Sequence, residues 1–204
     1  KECFKRHIIE DRSPAIHVKN KRELNSPETI NFIKQNKADC FIDYGTGILE
    51  KETLAVLPKW KINIHGGISP HYRGSATLLW PLFFRQPWLI GMTLHDLTEK
   101  IDGGFIYQHI RPKISLNDKP YEIGTNAVIE TAKGIIKLIK KLEKTGQLEG
   151  FKQKGSGKLF VEKDYSPFII KKIYEDINNG LIESYLNNKN IYDEKFKPID
   201  QIGT

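Results

Sequence analysis

Short apolar runs separated by helix-length polar segments leave this chain few architectures. Asp39 to Tyr44 reads as a buried strand that turns at Gly45-Thr46-Gly47. Glu50 to Leu57 then reads as a helix stopped by Pro58, and Lys61 to Ile64 as the next strand. Strands alternating with helices at this spacing predict an α/β fold with a mostly parallel sheet and helices on its faces. Ser26-Pro27-Glu28 marks an earlier helix start: N-cap, N1 proline and an acid in the positive first turn. Ala15-Ile16-His17-Val18 suggests a short strand before it.

Further along, Gly74 to Phe84 predicts a helix bent at Pro81, and Ile90–Leu94 and Ile101–Ile110 predict strands. Ala127, Val128, Thr131, Ile135, Leu138, Ile139 and Leu142 recur at helical spacing, so a long helix is expected over 121–144, ended by Gly146 and Gly150. Residues 151–166 read as loop and short strand. Ile170, Ile173, Ile177 and Leu181 form an apolar stripe on a helix, a docking face. The last ~15 residues are polar and expected to be loosely held. The division expected is a core over 1–146 and a C-terminal extension over 147–204.

The chemistry concentrates in Asn63-Ile64-His65-Gly66-Gly67-Ile68-Ser69-Pro70-His71-Tyr72-Arg73-Gly74. Asn63 and His65, two apart on a strand, project to the same side. The glycine pair after them allows a ligand close to the backbone. About forty residues on, Ile101-Asp102-Gly103-Gly104 places a carboxylate on a second glycine-rich turn. An isolated Asn-x-His is more often a loop fastener than a site. Two other glycine-rich stretches carry no function. Gly155-Ser156-Gly157-Lys158 lacks the hydroxyl residue and the first glycine of a phosphate loop, and Gly45-Thr46-Gly47 lacks the third glycine of a dinucleotide fingerprint.

At 204 residues, 39% apolar and 28% charged, the chain suits one globular domain with a small appendage. No apolar run approaches the ~18 residues of a membrane span. Cys3 and Cys40 are too few for a disulfide framework and lack metal-ligand spacing, which fits a reducing cytoplasmic setting. The net charge of +7 is crowded between Lys133 and Lys163. It suits an anionic small molecule or serves solubility alone. Nucleic acid is the disfavoured partner, because basic motifs interleaved with aromatics are missing.

The run from Asn63 to Gly74, with the later Asp102-Gly103-Gly104, resembles the signature of formyltransferases that use 10-formyltetrahydrofolate, and the likeness extends over about residues 38–110. That family includes glycinamide ribonucleotide, methionyl-tRNA and sugar N-formyltransferases. The resemblance implies a Rossmann-like sheet of the formyltransferase type and 10-formyltetrahydrofolate as formyl donor, with no metal. By it, Asn63, His65 and Asp102 match the catalytic residues. Gly47, Ile48 and Leu49 match the segment lining the pterin pocket, and Leu97, Thr98 and Glu99 the loop closing over it. Tyr72 and Arg73 match the loop after the catalytic strand, a substrate-contacting or bracing position. His95 matches a histidine near the folate, against an equally plain role in the core. Gly66-Gly67 departs from the Pro-Ser of many members. His71 and His109 are expected in loop or surface roles.

The layout after residue 150, with its paired apolar helices, is most similar to the sugar enzymes. This implies a small-molecule acceptor, the amine of a nucleotide-linked amino sugar, and a homodimer through the C-terminal helices. Glycinamide ribonucleotide and methionyl-tRNA remain alternative acceptors. A non-catalytic folate- or nucleotide-binding protein is the alternative of another class. The family's first strand-helix unit is expected to be incomplete, since only 62 residues precede Asn63.

Overall fold

The computed structural model describes residues 13–155 and 157–203. Cys3 lies outside them. A four-stranded sheet carries the fold: β1 (Cys40–Tyr44), β2 (Trp60–His65), β4 (Met92–Asp96) and β5 (Ile106–Ile110), adjacent in that order. A small second sheet pairs β3 (Tyr72–Gly74) with β6 (Lys158–Phe160) in parallel. The helices are α1 (Pro27–Asn36), α2 (Lys51–Val56), α3 (Trp80–Phe83), α4 (Pro120–Thr145), α5 (Pro167–Asn178), α6 (Leu181–Asn187) and α7 (Lys189–Lys195).

The α/β class expected from the alternating runs is present. The parallel pairing among the described strands of the main sheet is β1 with β2, whereas β2–β4 and β4–β5 are antiparallel. The connection from β4 to β5 explains the second of these antiparallel pairings. Residues 97–105 hold no helix, and a parallel crossover needs a dozen or more residues. The strand expected over 101–110 therefore starts only at Ile106.

Local chemistry sets the element ends. Ser26 Oγ accepts from Thr29 N–H at 3.2 Å, the cap read from Ser-Pro-Glu. At the start of α4 the Glu122 carboxylate accepts from Lys119 N–H at 2.7 Å, and Gly146 closes that helix with φ 70°. Between Gly74 and Phe84 only Trp80–Phe83 is helical. Ala76 adopts φ 56°, and Trp80 Nε1–H donates to Ser75 O, so the segment turns before Pro81 takes a first-turn position. Ala15–Val18 forms no strand.

Two apolar clusters flank the sheet. In one, Ile135, Leu138 and Leu142 of α4 pack on Ile62, Leu94 and Tyr107 of the strands. In the other, Ile169, Ile173, Leu181 and Ile182 of α5 and α6 meet Tyr72, Trp80, Leu82 and Phe160. The apolar stripe expected to dock therefore docks within the chain. Trp80 and Phe160 stack with centroids 4.4 Å apart, which ties β6 under the loop that follows β2.

That loop is fixed from three sides. Thr93 Oγ1–H donates to Gly67 O at 2.5 Å, and Thr93 Oγ1 in turn accepts from Ser69 N–H at 2.9 Å. His109 Nε2–H donates to Ser69 O at 3.0 Å. The Ser69–Pro70 peptide is cis. The glycine at 67 has a steric cause. A Cβ there would lie 2.7 Å from Thr77 Cβ, 2.7 Å from Tyr72 O and 2.8 Å from His65 Nε2. Thr77 fills the space that a serine would need.

The end of the chain is held rather than loose. His109 N–H donates to Ile199 O at 2.8 Å, and Ile199 N–H donates back to His109 Nδ1 at 3.0 Å. Gln201 bonds Gln108 Oε1, Tyr107 O and Glu149 O. His109, expected in a loop or surface role, is buried in β5.

Two outcomes follow. Gly67→Ala must push Thr77 or the Tyr72 carbonyl aside and should cost roughly 1–3 kcal/mol, read from denaturant unfolding. An unchanged midpoint would show that the loop yields freely. His109 is the second. Burial pushes its pKa down to about 4, outweighing the Ser69 carbonyl, and both ring nitrogens are engaged as in the neutral form. A histidine depressed on folding stabilises fully above its unfolded value near 6.5 and loses that contribution as pH falls toward 4. Stability should drop by roughly 3 kcal/mol across that window. His109→Gln should flatten the slope; an identical slope in that variant would assign the loss elsewhere.

Candidate active site

The strand register assembles the site. Asn63 on β2 lies directly opposite His95 on β4. Cross-strand partners share a face, so amide and imidazole stand side by side. Asn63 Nδ2 is 3.0 Å from His95 Nε2 and 3.4 Å from Asp102 Oδ1. His65 follows two residues on, and its Nδ1 lies 3.3 Å from Asp102 Oδ1. His95 Nε2 is 3.5 Å from the same oxygen. Asp102 arrives on the turn between β4 and β5 with φ 47°, an uncommon conformation for a residue with a side chain. The structure thus brings Asn63, His65 and Asp102 together and adds His95.

Three contacts hold the Asp102 turn. Gly74 N–H donates to Asp102 Oδ2 at 2.7 Å. Arg73 donates through Nε and Nη2 to Ile101 O at 3.1 and 2.8 Å. Gln153, from the segment leading to β6, donates to Asp102 O at 2.7 Å and Gly104 O at 2.8 Å. Gly74 needs its own identity: φ is 87° and a Cβ would meet Phe160 O at 2.0 Å. Nothing in the sequence pattern singled out Gln153, which lies fifty residues from its partner in a polar stretch.

The hydrogen bonds fix the tautomers. His65 Nε2 is 2.8 Å from Tyr72 O, and His95 Nδ1 is 2.8 Å from Asp96 O. A carbonyl only accepts, so both these nitrogens carry hydrogen. In the neutral rings, His65 Nδ1 and His95 Nε2 therefore present lone pairs. His95 Nε2 takes the Asn63 N–H, and His65 Nδ1 faces the Asp102 carboxylate. Burial holds the His65 imidazole below its ordinary pKa, against the pull of Asp102 and the Tyr72 carbonyl. For Asp102, burial works upward, but positive charge on His95 or His65, when either is protonated, and the Gly74 N–H outweigh it and hold the carboxyl below its usual range. An ionised carboxylate facing neutral imidazole is one proton short, so the group can receive a proton from a bound ligand.

These residues stand at the head of a cleft of about 770 Å³, within the size range of small-molecule sites. Gly47, Ile48 and Leu49, and Leu97, Thr98 and Glu99, are among its lining residues. Asn25 holds the first of these segments: its Nδ2 donates to Ile48 O at 3.0 Å, and its Oδ1 accepts from Glu50 N–H at 2.8 Å. Lys21, Arg22 and Lys100 also line the cleft, opposite in charge to Asp43 and Asp102.

Tyr72 and Arg73 are placed differently from a ligand-contacting expectation. Tyr72 is buried, stacks on Phe160 at 5.9 Å, and donates its hydroxyl to Gln86 Oε1. What it offers the site is its carbonyl, to His65. Arg73 braces the Asp102 turn. His71 packs edge-on against Phe196 at 5.6 Å, away from the cleft. Lys158, the last residue of the Gly-Ser-Gly-Lys run, opens strand β6 rather than a helix.

Comparisons with known proteins give the family and the fold. The bifunctional polymyxin resistance protein ArnA of Wigglesworthia glossinidia brevipalpis is 31% identical over 115 residues, covering 56% of this chain and 17% of that protein. The chain thus spans under a fifth of that curated relative's length. Among solved structures, a 4-N formyltransferase from Francisella tularensis is similar with a TM-score of 0.58 and 18% identity. The match covers 76% of this chain and 63% of that one. The formyltransferase PseJ from Anoxybacillus kamchatkensis, solved with UDP-4,6-dideoxy-4-formamido-L-AltNAc and tetrahydrofolate, gives 0.52 and 24%, over 63% and 67%. These structural likenesses support the fold. Residues 5–139 match the family profile Formyl_trans_N, described as "Formyl transferase". With two thirds of its length inside that match, and Asn63, His65 and Asp102 converging at the head of one cleft, the chain belongs to the formyl transferase family.

Proposed function

We propose that the chain is an N-formyltransferase that moves the formyl group of 10-formyltetrahydrofolate to the amine of a nucleotide-linked amino sugar. The observation that carries the reading is the meeting of Asn63, His65 and His95 within 3.5 Å of Asp102 Oδ1 at the cleft head. A fastener in the core would not need three polar side chains directed at one carboxylate beside a cavity.

The cleft fits the donor on its own terms. Ile48, Leu49 and Leu97 give apolar walls for a flat heterocycle, while Lys21, Arg22 and Lys100 give cations for an anionic tail or pyrophosphate. In the transfer, the acceptor nitrogen bonds to the formyl carbon, the carbon's bond to the donor nitrogen breaks, and one proton passes from acceptor to donor. Asn63 supplies the oxyanion donor. One of its N–H groups is held by His95 Nε2, and the other makes only the 3.4 Å contact to Asp102, so it can turn to a developing negative oxygen. His65 and Asp102 take the amine proton, which the Nδ1 lone pair and the ionised carboxyl are arranged to share, and they release it to the leaving nitrogen. The sugar acceptor is supported by the likeness to the Francisella 4-N formyltransferase and to PseJ, whose complex holds a UDP-linked formamido sugar. Because the apolar stripe of α5 and α6 is buried within the chain, a homodimer contact through these helices would use their outward side, where Phe168 is exposed.

Formyl transfer should be measured with purified protein, 10-formyltetrahydrofolate and a panel of acceptors: nucleotide-linked 3- and 4-amino sugars, glycinamide ribonucleotide and initiator Met-tRNA. Release of tetrahydrofolate with one of the sugars is expected. Release only with another acceptor would overturn the substrate class, and folate binding without release would favour a non-catalytic binder. With the active acceptor, Asn63→Ala should lower kcat by about 10²–10³ while tetrahydrofolate affinity stays within a few-fold. Gln153→Ala tests the brace on the Asp102 turn. It should lower kcat about tenfold with tetrahydrofolate affinity unchanged; equal loss of both would mean that Gln153 only maintains the fold.

A further inference from the structure

The register that pairs Asn63 with His95 continues one strand further. Asp43 on β1 lies directly opposite Asn63. Asp43, Asn63 and His95 therefore form one row across three neighbouring strands, all on the face that lines the cleft. Asp43 is the only charged residue of Cys40-Phe41-Ile42-Asp43-Tyr44, and its side chain is buried, 6% exposed. Its Oδ1 accepts the Thr46 hydroxyl at 2.6 Å. No other hydrogen bond or ion pair to this carboxyl is present among the described residues. That leaves Oδ2 facing the cleft and available to a bound donor.

Its distance from the chemistry narrows the role. Neighbouring strands are about 4.8 Å apart, so Asp43 stands one strand from Asn63 and roughly two from His95. It is too far to join the proton exchange around Asp102, yet it reaches the same ligand. On that side the cleft is walled by 44–49, the apolar stretch that directly follows Asp43 in sequence. A group lying against that wall presents its edge to Asp43, and a carboxyl oxygen there selects hydrogen on nitrogen.

We propose that Asp43 is a ligand-anchoring residue of this cleft, accepting N–H hydrogen bonds from the aminopyrimidinone edge of the folate heterocycle. The inference rests on the folate reading above and adds a side-chain contact that sets which heterocycle the cleft accepts. Asp43 is raised from the usual carboxyl range mainly by burial, which the Thr46 hydroxyl and the charge of His95 oppose. Bound N–H donors act in the same direction as those two.

The test uses the whole chain and tetrahydrofolate itself, by calorimetry, with no acceptor needed. Asp43→Asn keeps an oxygen for Thr46 but turns the other position from acceptor to donor. It should weaken tetrahydrofolate binding about 10- to 100-fold, the range for a charged hydrogen bond, with an unchanged melting temperature. A tetrahydrofolate analogue lacking the 2-amino group should bind wild type more weakly and should lose little further in the variant, since both changes remove the same contact. Equal tetrahydrofolate affinity in variant and wild type would overturn the proposal, as would additive losses in the two-by-two comparison. Asp43→Ser serves the same comparison should Asp43→Asn not fold. If wild type binds no tetrahydrofolate, the folate reading fails first, and that result is distinct from a variant that binds normally.

Discussion

The Asp102 carboxylate is the point on which the site depends. One oxygen faces His65, His95 and Asn63, and the other accepts the Gly74 N–H. Asn63 and His65 come from one strand and His95 from its neighbour, while Gly74 ends the loop after β2. Asp102 alone binds all of them, and it does so from a turn whose backbone needs external support. A buried carboxylate without these donors would be strongly disfavoured. With the Gly74 and Asn63 N–H groups donating to it, Asp102 stays ionised, and its charge favours a proton taken up by the neighbouring imidazole.

The support for this turn comes from distant parts of the chain. Arg73 reaches Ile101 from the loop after β2, and Gln153 reaches Asp102 and Gly104 from the approach to β6. β6 is itself anchored by Phe160 stacking on Trp80 and Tyr72. Apolar packing in the second core is thus linked, through two backbone-directed side chains, to the position of one catalytic-turn residue. Precision of this kind is needed where small displacements weaken catalysis.

Much of this was legible in the sequence, for identifiable reasons. Helix ends at Ser26, Lys119 and Gly146 follow local rules that act within a few residues. The pairing of Asn63 with His65 follows from the period of two along a strand. Strand direction was not legible, because it depends on how the short 97–105 connection folds rather than on any local preference. The helix expected from Gly74 failed because Ala76 and the Trp80 indole bond impose a turn that hydrophobic spacing does not encode. His95 matches a folate-side histidine by resemblance, but its place beside Asn63, and the placing of Asp43 at all, came only through register, a relation between strands that lie twenty and thirty residues apart. A lone charge inside Cys40–Tyr44 was the available signal for Asp43. Tyr72 looked ligand-facing because it sits in the motif, yet its ring serves the core and only its carbonyl serves the site.

The outer strand β5 has a further consequence. An unpaired strand edge is a template on which another chain can add. Here the 199–201 segment occupies part of that edge. Ile199 exchanges bonds with His109, and the Gln201 side chain takes the Tyr107 carbonyl. The contact is made by short, irregular backbone and an amide side chain rather than by a further strand. It blocks growth of the sheet without offering a new edge in its place, so the same few residues that fasten the chain end also keep this side of the sheet from recruiting copies of itself.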